Sequence, residues 1–160
     1  GADKIVLNSL LKEDPEEVSK IVQKYGSQSV VACIDFKKNG DIEEVYINDG
    51  NLKIDSDLED YVNYVLGLDV GEIYLNSIDK DGTGFGYDLE TIKKVEKLVP
   101  LPLIIAGGAG NESHLIDGLK LEGVSAVATA NLFNFVGDGL PNARKIIKES
   151  GLNIAQWNTY

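Results

Sequence analysis

Residues 72–88 of this chain are EIYLNSIDKDGTGFGYD, an apolar strand-like run that leads into a loop with three alternate glycines at residues 82–86. Asp88 follows and is placed to cap a helix. A glycine loop after a parallel strand lets backbone amides approach an anion closely. The segment therefore predicts a βα unit with a phosphate-binding loop. A plain glycine-rich turn and a metal loop built on Asp79 and Asp81 are the alternatives.

Strand and helix signals alternate over the whole chain. The strand-like runs have no polar face, which is typical of parallel strands that are covered on both sides. The predicted strands are Lys4–Asn8, Ser29–Asp35, Glu72–Ser77, Leu103–Ala106 and Ala126–Ala130. The predicted helix starts are marked by Asp14 with Pro15, by a capping box of Ser56 and Glu59, by Asp88, by Asn111 and by Pro141.

A hairpin interrupts the second unit of this pattern. The runs Glu44–Asn48 and Leu52–Ile54 flank Asp49-Gly50-Asn51, a sequence typical of a tight turn between antiparallel strands. The insertion covers about residues 38–54 of a single domain that spans residues 1–160.

The size of the repeating unit fits two architectures. Five units in 160 residues give about 32 residues each, and a complete (β/α)8 barrel takes roughly 250 residues, of which five-eighths is about 156. An open, five-stranded, flavodoxin-like sheet has the same length and alternation. Periodicity does not separate the two, so the choice depends on the motifs.

Two further predicted strands end in small residues. Residues 104–111, IIAGGAGN, pass from a strand through glycines into a helix N-terminus, where free amides and the helix dipole favour an anion. Residues 128–131, ATAN, end the last strand. In a barrel these ends lie side by side with the first glycine loop on the C-terminal face, where phosphate sites are common. Tight packing between strand and helix is the alternative explanation of the glycines.

A carboxylate ends the second predicted strand. Alternation points Val31, Cys33 and Asp35 to one side, towards the barrel interior. Barrel enzymes carry catalytic groups at the C-terminal ends of strands, and partial burial raises a carboxyl pKa towards neutrality, which suits proton transfer. Asp35 is therefore a candidate acid–base residue. A simple strand end that caps a turn is the alternative.

Two charged residues begin strands at the opposite mouth of such a barrel. Lys4 and Glu72 would form a gate if both faced inwards, and solvated strand ends are the alternative. His114, the single histidine, lies in the helix after the GGAG loop and is expected to face solvent rather than to act as a base.

Composition limits the classes of partner. The formal net charge of −11 argues against nucleic acid and anionic membranes. A single cysteine excludes an internal disulfide framework, and no stretch approaches the roughly 20 apolar residues of a membrane span. We expect a cytoplasmic domain that uses no metal and no cofactor.

The motifs taken together resemble the cyclase subunit of imidazole glycerol phosphate synthase. The resemblance runs from residue 1 to about residue 150 and implies a TIM barrel, of which this chain covers strands four to eight. The motifs that carry it, in the order and spacing of that family, are GADK at Gly1–Lys4, GSQ at Gly26–Gln28, Ile34–Asp35, SIDKDGT at Ser77–Thr83, GYD at Gly86–Asp88 and GGAG at Gly107–Gly110.

The resemblance implies a lyase-type synthase of histidine biosynthesis, which takes a bisphosphorylated ribulosyl intermediate and ammonia from a partner glutaminase. Asp35 looks like one of two catalytic aspartates. The other belongs to the first strand of the family's barrel, so the chain alone is expected to be inactive. The implied substrate and phosphate contacts are Asn8, Ser9, Asn76, Asp81, Gly82, Gly107, Gly108, Ala130 and Asn131. Lys4 and Glu72 look like members of the ammonia gate, and Asp3 like a contact to the glutaminase.

Four positions at the C-terminal face depart from the family pattern. Asn76 stands in place of threonine, Ala106 and Asn131 in place of serine, and Asn134 in place of histidine. The tail over residues 132–151 is more similar to relatives from surface-polysaccharide gene clusters, which pair with their own amidotransferase and are thought to help make acetamidino sugars. A nucleotide sugar is therefore an alternative substrate.

A non-catalytic phosphate-binding or assembly module is the second alternative function. Five parallel strands leave two unpaired edges and an uncovered apolar face. We therefore expect self-association, pairing with the missing barrel half, or rearrangement towards a flavodoxin-like sheet.

Overall fold

The computed structural model describes residues 1–130 and 139–155. The strands are β1 (Ile5–Leu7), β2 (Val30–Asn39), β3 (Ile42–Ile47), β4 (Leu52–Asp57), β5 (Glu72–Ser77), β6 (Leu103–Ala106) and β7 (Val124–Val127). The helices are α1 (Leu10–Glu13), α2 (Pro15–Tyr25), α3 (Leu58–Leu66), α4 (Leu89–Val95), α5 (Glu112–Leu119) and α6 (Gly139–Glu149), with a short 3-10 turn at Ser27–Ser29.

The order of the parallel strands decides between the two architectures. Strands β1, β2, β5, β6 and β7 are neighbours in chain order and all pair in parallel. A flavodoxin-like sheet instead places its first strand between the second and third. The sequential order is that of a barrel, so the prediction of a partial (β/α)8 barrel is confirmed.

The burial of β2 agrees with an open barrel wall. Ala32, Ile34 and Phe36 are 0–1% exposed, because their side chains pack into the layer between sheet and helices. The alternate residues Cys33 and Asp35 are only partly buried. A doubly wound sheet would cover both faces with helices, whereas here one face of the sheet remains accessible.

The strand register aligns the side chains of the accessible face in rows. Each row runs across neighbouring strands at one height. The rows are Val31 with Glu72, then Cys33 with Tyr74, Ile104 and Ala126, and then Asp35 with Asn76 and Ala106. The predicted inward direction of Val31, Cys33 and Asp35 is thus the direction of this face.

The hairpin prediction is confirmed, and its strands are longer than expected. β2 continues to Asn39 because its second half pairs with β3 in an antiparallel ladder. The turn between β3 and β4 places Asn48 at φ +53° and Asp49 at φ +56°, the left-handed region that these residue types tolerate better than most.

Most predicted helix caps are confirmed. The side chains of Asp14, Asp88 and Asn111 each accept the backbone N–H three residues ahead. The capping box at Ser56 is wrong, since β4 extends through Ser56 and Asp57 caps α3 instead.

The two outer parallel strands expose apolar surface. On β1, Ile5 is 38% and Val6 is 60% exposed. The last strand, β7, ends earlier than predicted, although the Ala128 amide still donates to the Ile105 carbonyl at 2.8 Å. No helix among residues 1–130 and 139–155 is long and apolar enough to cross a membrane.

Candidate functional site

Asp35 lies at the centre of a hydrogen-bonded group on the accessible face. Asn76, its neighbour in the row, donates Nδ2–H to Asp35 Oδ1 at 2.9 Å. Asn8, just beyond β1, donates to Asp35 Oδ2 at 3.3 Å and to the Cys33 carbonyl at 3.1 Å. The Cys33 thiol lies 3.7 Å from Oδ1. Both carboxylate oxygens are therefore hydrogen-bond acceptors, an arrangement that favours the ionised form.

Burial opposes that preference for the charged form. Partial burial raises the pKa of Asp35, and the nearby carboxylates of Asp49 and Asp81 raise it further, while the bonds from Asn76 and Cys33 lower it. Burial and the adjacent Asp35 together raise the pKa of Cys33 to about 12, so its sulfur remains a thiol that can donate. The net direction for Asp35 is upwards, as expected of a group that exchanges protons.

The hairpin is tied to this group through Ser9. The Ser9 hydroxyl donates to Asn8 Oδ1 at 3.3 Å and accepts the Asn48 backbone N–H at 3.0 Å. The hairpin turn, which includes Asp49, is thereby held on the C-terminal side of the sheet next to Asp35.

A small cavity opens next to Asn76, the hydrogen-bond partner of Asp35, at the carboxyl ends of β5, β6 and β7. Its volume is about 160 Å³, and its lining residues are Tyr74, Asn76, Asp81, Ala106, Gly107, Ala128, Thr129 and Ala130. Whole-ligand pockets usually measure roughly 300–1,000 Å³. The cavity can thus accept one phosphoryl group or part of a ligand, and its carboxylate and backbone edges are polar.

The two glycine loops are packed directly against each other. The Gly86 amide donates to the Gly108 carbonyl at 2.7 Å. Gly107 and Gly108 have φ values of +90° and +106°. A Cβ on Gly107 would collide with the backbone of Ser77 at the end of β5, and one on Gly108 would collide with the backbone of Gly86 in the facing loop. These glycines are required by close approach to the end of β5 and to the other loop, which is not the strand–helix packing of the alternative explanation, and the same contacts bring Gly107 to the cavity.

The metal-loop alternative finds no support in the described residues. Asp79 accepts the Ser77 hydroxyl at 2.9 Å and the Lys38 backbone N–H at 3.4 Å, so its carboxylate closes the turn after β5. No group of three or more His, Cys, Asp or Glu side chains in residues 1–130 and 139–155 is placed to hold a metal ion.

The opposite end of the sheet carries an ion pair. The Lys4 ammonium contacts the Glu72 carboxylate, with the two side chains 46% and 20% exposed. Asp3 is exposed beside them. Because Glu72 and Asn76 are four residues apart on β5, the pair lies roughly 13 Å below the Asp35 row at ~3.3 Å per residue. The two strand ends are thus paired with each other while the Lys4 side chain stays exposed to solvent, so the gate and the solvated strand ends both remain open as explanations.

Comparison with known proteins assigns this arrangement to a family. Residues 1–137 match the model of the family described as histidine biosynthesis protein. The chain belongs to that family. This finding confirms the resemblance inferred from the motifs, and the family is a TIM barrel.

Individual relatives share the match over most of this chain. The chain is 37% identical over 154 residues to the imidazole glycerol phosphate synthase subunit HisF of Chlorobium limicola, which covers 96% of this chain and 61% of that protein. It is 38% identical over 154 residues to the HisF subunit of Pyrobaculum aerophilum, with 96% and 60% covered. The chain thus spans about three-fifths of the length of the curated relatives that it matches.

The predicted site residues of this family member fall into three groups. Asn8 and Asn76 each donate to Asp35, and Asp81, Gly107 and Ala130 line the cavity next to Asn76. Ser9 supports Asn8, whereas Gly108 packs the loops together and Gly82 forms the adjoining turn at φ +75°. Asn131 lies outside the described residues, so its predicted phosphate contact stays a prediction, and Asn134, noted only as a departure from the family pattern, lies outside them too.

Tyr74 was not singled out from the sequence, and His114 was expected in a different environment. Tyr74 lines the cavity, and its place between Glu72 and Asn76 in the alternation of β5 was the available signal. His114 was expected to face solvent, which is wrong. It is partly buried, and its Nδ1 accepts the Gly110 backbone N–H at 3.1 Å.

Proposed function

We propose that this chain contributes five βα units to a synthase that adds ammonia, supplied by a glutamine amidotransferase, to a phosphorylated substrate. The reaction is of the type that forms imidazole glycerol phosphate. The observation that carries the proposal is Asp35, an inward carboxylate between two amide donors, one of which, Asn76, also lines a phosphoryl-sized cavity. The names of the related proteins support the reaction type.

Asp35 is the proposed general base. Its two oxygens accept hydrogen bonds from Asn8 and Asn76, which orients the carboxylate and favours its ionised form. Its raised pKa, caused first by burial, strengthens it as a proton acceptor. The backbone of Gly107 and Ala130 would then hold the phosphate within reach of the base.

Ammonia is proposed to enter from the opposite end of the sheet. The Lys4–Glu72 pair closes that end, and the row above it carries Cys33, Tyr74 and Ile104. These side chains offer little charge to a small neutral molecule that moves towards the Asp35 row. The glutaminase would dock at the same end, where Asp3 is exposed.

The test is ammonium-dependent turnover of the bisphosphorylated ribulosyl intermediate by a full-length protein that carries these 160 residues. Asp35→Asn should lower kcat by about 10²-fold or more, the usual contribution of a general base. Asp49→Asn is the matched control, because it removes a carboxylate that acts on Asp35 only through its charge. Its kcat should remain within about threefold of the parent, since a charge effect of this kind is modest at an exposed site.

The possible results separate the substrate from the catalytic residue. Full activity of Asp35→Asn would refute the role of Asp35. Absence of turnover by the parent would exclude this substrate and favour the nucleotide-sugar alternative, which the asparagine at residue 76 supports through its different hydrogen-bonding pattern.

The second candidate is a phosphate-binding assembly module, favoured for the chain alone by the exposed β1 edge. Ile5 and Val6 are 38% and 60% exposed, and the described residues place one aspartate, not two, in the row of Asp35. We expect the 160-residue chain to self-associate or to pair with a barrel complement, and to show negligible turnover. A clean monomer in size-exclusion chromatography, or ammonium-dependent turnover by the chain without any complement, would contradict this candidate.

A further inference from the structure

His114 connects the two glycine loops at the proposed phosphate site. It lies in the first turn of α5, and its Nδ1 accepts the backbone N–H of Gly110 in the GGAG loop at 3.1 Å. The face of its ring lies against Gly86 in the other loop, where an added Cβ would stand 3.3 Å from the imidazole Cδ2. One side chain thus contacts both loops, which also bond to each other through Gly86 and Gly108.

The N-cap of α5 holds the backbone of His114 independently of its ring. Asn111 Oδ1 accepts the His114 backbone N–H at 3.1 Å and the Ser113 hydroxyl at 2.6 Å. This cap is made by the backbone of His114 and would survive the loss of its ring. The imidazole is therefore not needed to start α5, and its contacts to the loops call for a separate explanation.

The hydrogen bond also determines the tautomer of the ring. Nδ1 can accept from Gly110 only when it carries no proton, so the neutral imidazole carries its hydrogen on Nε2. In this tautomer the 3.4 Å contact between Nε2 and the Asn111 amide nitrogen joins two donors and is not a hydrogen bond. The Gly110 amide is held on the imidazole and is turned away from a ligand.

We propose that His114 is a positioning residue that sets the spacing of the two glycine loops and thereby the affinity of the cavity for a phosphate group. Gly107, which lines the cavity, is three residues before the amide that His114 holds. If Gly110 is released, the short GGAG segment is held by fewer contacts, chiefly the Gly86–Gly108 bond, and the backbone of Gly107 gains freedom. The inference rests on the proposed phosphate site and adds a residue that orders it.

Two amide variants separate the hydrogen bond from the bulk of the side chain. His114→Asn places its oxygen near the position of Nδ1, whereas His114→Gln places its amide near the position of Nε2 and offers Gly110 no acceptor. Ser113→Ala is the control, since it removes a polar group from the same turn without touching either loop.

The experiment uses the 15N-labelled 160-residue chain and inorganic phosphate. The exchange rate of the Gly110 amide with solvent is measured by NMR, and phosphate is titrated while the amide shifts of Gly107 and Gly108 are followed. We expect His114→Gln to exchange Gly110 about tenfold faster and to bind phosphate about threefold to tenfold more weakly, the usual effect of one lost hydrogen bond. His114→Asn and Ser113→Ala should stay within about twofold of the parent chain, a change of under half a kcal/mol.

Parent-like exchange and phosphate affinity in His114→Gln would overturn the role of His114, and so would equal losses in His114→Asn and His114→Gln. If the parent chain shows no phosphate-dependent shifts, the phosphate site and this role are both rejected. If the parent chain binds phosphate and His114→Gln has the same phosphate affinity and Gly110 exchange rate, only the role of His114 is rejected.

Discussion

Replacing Asn76 by aspartate tests the geometry around Asp35 with very little change in shape. Asn76 donates to Asp35 Oδ1 at 2.9 Å, and the two residues are register partners on adjacent strands. In Asn76→Asp the donor becomes a second carboxylate at the same distance. The variant therefore exchanges a charge-assisted hydrogen bond for a repulsive pair, without a change in side-chain volume.

The magnitude follows from that distance and from partial burial. A hydrogen bond to a charged group contributes about 1.5–3 kcal/mol, and two like charges at ~4 Å repel by roughly 4 kcal/mol at an effective dielectric constant near 20. Because the pair is only partly buried and can bind a shared proton, the two amounts do not add in full. We expect Asn76→Asp to lower the free energy of unfolding by about 3 kcal/mol at pH 8.

The loss should shrink at lower pH. Repulsion raises the pKa of the carboxyl pair in the folded chain above the unfolded value, so the folded chain binds more protons and becomes more stable as pH falls through the folded pKa. At pH 5 a shared proton restores a hydrogen bond between the two carboxyls, and the loss should fall to about 1 kcal/mol.

The assay is urea unfolding followed by circular dichroism at pH 8 and pH 5. Asn63→Asp is the control, because it adds the same charge at an exposed position of α3. It should cost under about 0.5 kcal/mol at both pH values, as is usual for surface substitutions. Equal losses for Asn76→Asp at the two pH values, or the same pH dependence in Asn63→Asp, would refute the contact between residues 35 and 76.

Three further predictions concern the loops, the last strand and the hairpin. Gly108→Ala should lower the free energy of unfolding in urea by about 1–3 kcal/mol, because residue 108 has φ +106° and faces the backbone of Gly86. Gly40→Ala is the control and should lower the free energy of unfolding by less, because residue 40 has φ +66° and lies in open space. Tyr87→Phe should lower the free energy of unfolding by about 1 kcal/mol in the same assay, because the Tyr87 hydroxyl donates to the Ala128 carbonyl, just after β7, at 2.9 Å. Hydrogen bonds from Lys53 first, and then from Tyr46 and Asn39, lower the pKa of Glu44 to about 2. The resulting stabilisation is present above the unfolded carboxyl pKa and is lost as pH falls towards 2, and Lys53→Met should reduce this pH dependence in acid unfolding.

The sequence predicted those parts of the fold that depend on local pattern. Apolar runs located all five parallel strands, and the side chains of Asp14, Asp88 and Asn111 cap helices as expected. The prediction that Ser56 caps α3 was wrong, because Ser56 and Asp57 are both good N-cap residues. Which of them caps the helix depends on how far β4 pairs with β3. Such a length is set by tertiary contacts and is not visible in a local window.

The site was predictable in its members but not in its contacts. The resemblance to the family supplied Asn8 and Asn76 as site residues, and strand alternation supplied Asp35. In the structure both asparagines donate to Asp35, although the three residues come from strands far apart in the chain. The direction of His114 was not predictable, because a histidine in the first turn of a helix can face either solvent or the preceding loop. Only the close approach of Gly86 to α5 determines which of these occurs.

The negative charge of the site affects both proposed tasks, proton transfer by Asp35 and phosphate binding in the cavity. Asp49 and Asp81 raise the pKa of Asp35, and Asp81 also lines the cavity proposed for phosphate. A phosphate bound there adds further negative charge beside Asp35 and must raise the pKa of that carboxyl again. By thermodynamic reciprocity, proton uptake by Asp35 then strengthens phosphate binding by the same factor. The acidic surroundings therefore weaken phosphate binding and at the same time make Asp35 a stronger proton acceptor. Substrate binding raises the pKa of Asp35 further and so favours its protonated form.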